Sequence, residues 1–162
     1  DGWDWDGVRF EFLHPDLGST GIASKNNLSC VLRVSTATGS LLLTGDIERL
    51  AEQQIMAAHK HQLRTDVLVV PHHGSKSSSG LSFLQATGAH IAINSNGFLN
   101  RYGFPNNSVR NNYRRQQIPL LNTADLGTIE VNYGATDRKL TVTGYRTSHN
   151  RYWNTFYRRP SF

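Results

Sequence analysis

Apolar and polar residues alternate through Val8-Arg9-Phe10-Glu11-Phe12-Leu13, ahead of Pro15. This period of two predicts a half-buried β-strand. Residues 28–34 and 41–43 are apolar runs separated by Thr38-Gly39-Ser40, and they predict two more strands joined by a turn. The period then changes. Ile47, Leu50, Ala51, Ile55 and Ala58 recur at three- and four-residue steps, predicting a helix over 47–60 with one buried face. Asp66-Val67-Leu68-Val69-Val70, stopped by Pro71, suits a buried central strand. A short helix is expected over 80–86 and a strand over 91–93. A further helix is capped by Asn106 or Asn107 and runs to about Gln116. Residues 119–121, 128–133 and 140–145 read as strands, punctuated by Gly127 and Gly134, with a hairpin across 134–139. Strands interleaved with helices predict a layered α/β domain with a mixed sheet and flanking helices.

The 162 residues fit one domain, which typically takes ~100–200. Hydrophobic content of 38% is that of a globular chain. No run approaches the ~20 apolar residues of a membrane-spanning helix. The opening Asp1-Gly2-Trp3-Asp4-Trp5-Asp6 is acidic, unlike a secretory leader. The chain as given is expected to be soluble. Cys30, the single cysteine, cannot form an internal disulfide and is expected to be a buried strand residue. The net charge of +5 is uneven: residues 131–162 hold six basic residues and one acid, and the rest cancels. Tyr145, Tyr152, Trp153, Phe156 and Tyr157 interleave with those cations. Such a segment, 146–162 above all, could track phosphates while rings stack on bases, or be a solvated tail.

Two segments carry chemistry. Leu41-Leu42-Leu43-Thr44-Gly45-Asp46 is a strand that ends in an acid. Val69-Val70-Pro71-His72-His73-Gly74-Ser75 is a strand that ends in two imidazoles before a turn. Strand ends on a common edge are where open α/β sheets build sites. If the two strands are neighbours, Asp46 and one histidine converge as ligands of zinc or manganese. Adjacent side chains diverge, so the other histidine would orient a ligand or touch substrate. Asp46 could instead cap the following helix. Ser75, Lys76 and Ser77 could bind phosphate oxygens, or form a polar loop. Asn100, Arg101 and Tyr102 could line the same cleft, or serve the turn at Gly103 and Pro105.

Together with Asn27-Leu28-Ser29 and Asn100-Arg101-Tyr102-Gly103-Phe104-Pro105, these segments resemble the β-lactamase-like domain of ComEC-type competence proteins. The resemblance covers roughly residues 8–145. The Thr-Gly-Asp and His-Gly segments are shared with the wider metallo-β-lactamase superfamily. It implies half of an αββα sandwich whose complete form holds two zinc or manganese ions. Asp46 would bridge them, and His72 or His73 would bind one. The implied reaction is two-metal hydrolysis of a phosphodiester, here of single-stranded DNA during uptake in natural transformation. Asp46, His72 and His73 are then the catalytic candidates, and His14 is a further possible ligand. The parent would be an inner-membrane protein with this domain outside the cytoplasm.

Two features depart from the family. The H-x-H-x-D-H motif is absent, and His59-Lys60-His61, the one x-spaced pair, is expected to be exposed. The motif would lie upstream of Asp1, so the chain is expected to be a partial domain without a tightly bound metal pair. Its uncovered face would meet the remainder of the parent or self-associate, including by swapping elements. Phe104 stands where the family often has His, and it can neither bind metal nor transfer a proton. A non-catalytic nucleic-acid-binding module and a phosphocholine esterase-like hydrolase are the alternatives.

Overall fold

A computed structural model of the chain describes residues 1–15, 24–134, 136 and 139–149. Most of the basic, aromatic 146–162 segment, from residue 150 on, lies outside the described residues. Seven strands form one sheet in chain order: β1 (Gly2–Trp5), β2 (Val8–His14), β3 (Val31–Ser35), β4 (Ser40–Leu43), β5 (Val67–Val69), β6 (Ile91–Asn94) and β7 (Leu120–Asn122). Pairing is antiparallel from β1 to β4 and parallel from β4 to β7. The parallel steps are bridged by α1 (Arg49–His59), α2 (Leu81–Thr87) and α3 (Asn107–Arg115). Right-handed crossovers that all advance the same way put the three helices on one face. The register aligns Leu42, Leu68 and Ala92. These meet Ile47, Ala51, Ile55, Phe83, Leu84, Val109 and Tyr113 in one buried core. On the other face Leu41, Leu43, Val69, Ile91 and Ile93 are apolar and only half-buried. β8 (Ile129–Tyr133) and β9 (Leu140–Gly144) form a separate hairpin, between single-turn helices α4 (Thr123–Leu126) and α5 (Tyr145–Ser148). The Tyr133 hydroxyl donates to Ser40 O at 2.7 Å and ties that hairpin to the sheet.

The expected α/β class with a mixed sheet is the observed one, and the differences are local. β1 is not among the expected strands. All four of its residues are exposed, and it forms by pairing with β2, where Trp3 stacks on Phe10 at 4.8 Å. Strand is expected from residue 28 but starts at Val31, because Lys25–Leu28 is a 3-10 turn. That turn brings Asn27 Oδ1 to the N–H groups of Glu48 (2.9 Å) and Ala51 (3.3 Å). Asn27 therefore caps α1, and Asp46 does not. Cys30, just ahead of the strand, is exposed rather than buried.

The buried face of α1 is also rotated from the expected one. Leu50 and Ala58 are exposed, while Glu52 is 1% exposed. Its carboxylate accepts the N–H groups of Ser79 (2.5 Å) and Gly80 (2.9 Å), at the start of α2. Burial pushes the Glu52 carboxyl above its ordinary 4.5, against the lowering effect of those two bonds and of Arg49. A raised folded pKa means that the folded state holds the proton more tightly than the unfolded one. The stability this group gives is full below about pH 4.5 and is lost as pH rises through the raised value. Denaturant midpoints should therefore show wild type losing ground to Glu52→Gln as pH rises from 4 to 7, by at most ~1.4 kcal/mol per pH unit. A constant difference between the two would contradict this.

Candidate functional site

The carboxyl ends of β4 to β7 open on one edge of the sheet. β4 runs into Thr44-Gly45-Asp46. The Thr44 hydroxyl donates to Val69 O at 2.8 Å, continuing the β4–β5 pairing. Gly45 has φ +54°, and a side chain there would meet Ser29 Cβ at 2.9 Å. Ser29 Oγ in turn accepts Asp46 N–H at 3.2 Å. This turn leaves the Asp46 carboxylate 44% exposed.

β5 runs into a tighter turn. His72, His73 and Gly74 have successive φ of +49°, +54° and +82°. Bulky residues rarely hold such angles without support. Three backbone bonds supply it: His72 N to Gly45 O (3.1 Å), Ser75 N to His72 O (2.9 Å) and Asn106 N to Gly74 O (2.8 Å). The two imidazoles take different partners. His73 Nδ1 bonds Ser95 O at 2.7 Å, and its Nε2 lies 3.5 Å from Asp46 Oδ1. A carbonyl only accepts, so Nδ1 carries a proton, and in the neutral ring the Nε2 lone pair faces the acid. His72 Nδ1 lies 3.4 Å from Glu48 Oε1, which also accepts the Ser77 hydroxyl at 2.9 Å. Burial pushes the Glu48 carboxyl up. Hydrogen bonds from Ser77, Ser24 and Asn26, with His72 beside it, outweigh that and hold it below its ordinary value.

Asp46, His72, His73, Asn96, Tyr102 and Phe104 are among the residues lining a cleft of about 620 Å³. The three expected catalytic residues thus converge, with His73 rather than His72 facing Asp46. His14 is elsewhere: it is buried, outside the cleft lining, and its Nε2–H donates to Asn27 O at 2.6 Å. His61 is exposed, and His59 is half-buried with Nδ1 2.8 Å from Gln62 Oε1. Ser75 is buried and Ser77 is bonded to Glu48, so Lys76 is the exposed side chain of that trio. Asn100 lines the cleft, but its amide closes the loop, accepting Phe104 N–H and donating to Phe104 O, both at 2.8 Å. Arg101 and Tyr102 are exposed.

The donor pair fits a metal by chemistry and spacing. A neutral imidazole nitrogen and a carboxylate oxygen 3.5 Å apart match the ~3.4 Å edge of a tetrahedron around zinc with bonds of ~2.0–2.1 Å. Among the described residues no group of three His, Cys, Asp or Glu that could hold a metal ion forms around them.

No protein-family model matches the chain. It is 38% identical over 133 residues, 82% of the chain, to YcaI of Escherichia coli. It is 39% identical over 132 residues, again 82%, to competence protein ComA of Neisseria gonorrhoeae. It is 40% identical over 126 residues, 78%, to ComE operon protein 3 of Bacillus subtilis. The chain spans 17%, 19% and 16% of these relatives' lengths.

Proposed function

We propose that the chain is part of a ComEC-type DNA-uptake protein and forms one portion of a metallo-β-lactamase-like phosphodiesterase domain acting on single-stranded DNA. Likeness to competence proteins over four-fifths of the chain supports the setting. The observation that carries the chemistry is His73 Nε2 3.5 Å from Asp46 Oδ1, with the ring oriented by the Nδ1 bond to the Ser95 carbonyl.

In this reading Asp46 and His73 hold zinc or manganese. A divalent ion bound there supplies Lewis-acid polarisation of a phosphodiester oxygen. The chain's own groups do the rest. Ser95 O fixes the His73 tautomer. Glu48 and Ser77 hold His72 at the cleft, where the ring, when protonated, can donate its Nε2–H to a phosphate oxygen. Lys76 adds a point charge. Catalytic zinc takes about three protein ligands, so the remaining donors belong to the part of the longer relatives that this chain does not span. Hydrolysis by the chain alone is then weak. The half-buried apolar face of the sheet docks on the remainder of the parent or on a second copy. Among the described residues no helix is long and apolar enough to cross a membrane; the proposed membrane anchor and extracytoplasmic setting belong to the parent.

Phe104 and the two-donor set favour a second reading, a module that binds nucleic acid without cutting it. Incubation with single-stranded DNA in manganese separates the two. Slow cleavage abolished by chelation supports the first; binding without cleavage supports the second; chelator-resistant cleavage contradicts the site.

A further inference from the structure

Residues 67–124 contain five basic residues (Lys76, Arg101, Arg110, Arg114 and Arg115) and no acid, whereas residues 1–66 contain nine acids and six bases. The divide runs through the cleft. Asp46 stands on one side, and the acid-free half supplies the other. That second wall is aromatic. The loop between β6 and α3 carries Phe98 and Tyr102, each 61% exposed. Tyr102 stacks on Phe104 with ring centroids 5.4 Å apart and planes 21° from parallel. The Arg101 guanidinium lies 4.8 Å over the Tyr102 ring. Single exposed aromatics are ordinary, but this pair is braced. Asn100 exchanges two hydrogen bonds with the Phe104 backbone, and Asn96 Nδ2 donates to Phe104 O at 2.9 Å. Beyond it Arg110 Nε donates to Pro105 O at 3.0 Å. Arg114 follows one helical turn on, and both arginines are exposed.

Resting on the nucleic-acid reading above, we infer that the Tyr102–Phe104 stack is a base-stacking platform for an unpaired nucleotide, with Arg101, Arg110 and Arg114 taking the phosphates of the strand as it leaves the cleft. Rings accept any base on its π face, and cations along the same path track the backbone. A duplex keeps its bases stacked on one another and offers the platform only their edges, so the site selects single strands. In the free chain Arg101 covers Tyr102 as a cation–π partner. An incoming base takes that place and releases the guanidinium to a phosphate.

The test measures binding by the full chain, in chelator, of a fluorescent oligothymidylate of about 12 nucleotides. A fully abasic oligonucleotide of the same length and a duplex serve as comparisons. The oligothymidylate should bind about tenfold tighter than the abasic strand. Tyr102→Ala, at an exposed position, should erase that advantage, and Tyr102→Phe should keep it. Arg110→Gln with Arg114→Gln should weaken oligothymidylate and abasic strand alike and reduce the salt dependence of both. Equal affinity for the base-bearing and abasic strands, or an advantage that survives Tyr102→Ala, overturns the platform and leaves the phosphodiesterase reading standing. No binding of any of the three overturns both.

Discussion

Asp46→Ala lowers manganese-supported cleavage of single-stranded DNA by at least about a hundredfold, while the fold stays intact. Loss of a group that merely orients a metal ligand typically costs 10–100-fold, so loss of a donor itself belongs at or beyond the upper end of that range. The carboxylate is 44% exposed and its described partner is His73. Even with His73 protonated, a contact this exposed would contribute at most about 1 kcal/mol to stability. The Asp46 N–H bond to Ser29 Oγ is made by the backbone and survives the change. His73→Ala should give the same loss, and the double variant should be no worse than either single one, because the two side chains act as a unit. Parallel rate assays and denaturant curves check this. Full activity in Asp46→Ala, or two losses that multiply, would show that the pair does not act on one ion.

Gly74→Ala should destabilise the chain by about 3 kcal/mol. Two effects add. Gly74 holds φ +82°, where a side chain is strained. A Cβ would also stand 2.5 Å from Pro105 Cβ and 2.9 Å from Pro105 Cα. Pro105 is buried, and its neighbour Asn106 bonds Gly74 O, so neither side can move without opening the turn. Gly103→Ala is the comparison: φ is +64° there, but a Cβ meets nothing within 4 Å. It should cost only about 1 kcal/mol. Equal effects of the two substitutions in urea unfolding would mean that the Gly74–Pro105 approach does not constrain the turn.

How far the sequence could be read depends on the range of the interactions. The strands from Leu41 and from Asp66 were legible because a buried parallel strand must be apolar on both faces. Their neighbouring placement, which brings Asp46 to the histidines, follows from the helix between them. The Glu52 and Glu48 roles were hidden. Both fall in the stretch the periodicity marks as helical, where an acid normally faces water, and each is recruited by a backbone or hydroxyl group from the serine loop. The choice between His72 and His73 could not be made from two adjacent letters, since it depends on three left-handed residues and on a carbonyl from the end of β6. The cap on α1 was hidden as well: Asn27 comes from a separate upstream turn, a contact between segments that no local periodicity records.

The direct test is imidazole 15N NMR of the chain during a zinc titration. His73 should shift before the other histidines, through Nε2, while Nδ1 keeps its proton on Ser95, and Asp46→Asn should abolish the shift. Zinc that first moves His14, His59 or His61, or that binds His73 through Nδ1, would contradict a shared ion between Asp46 and His73.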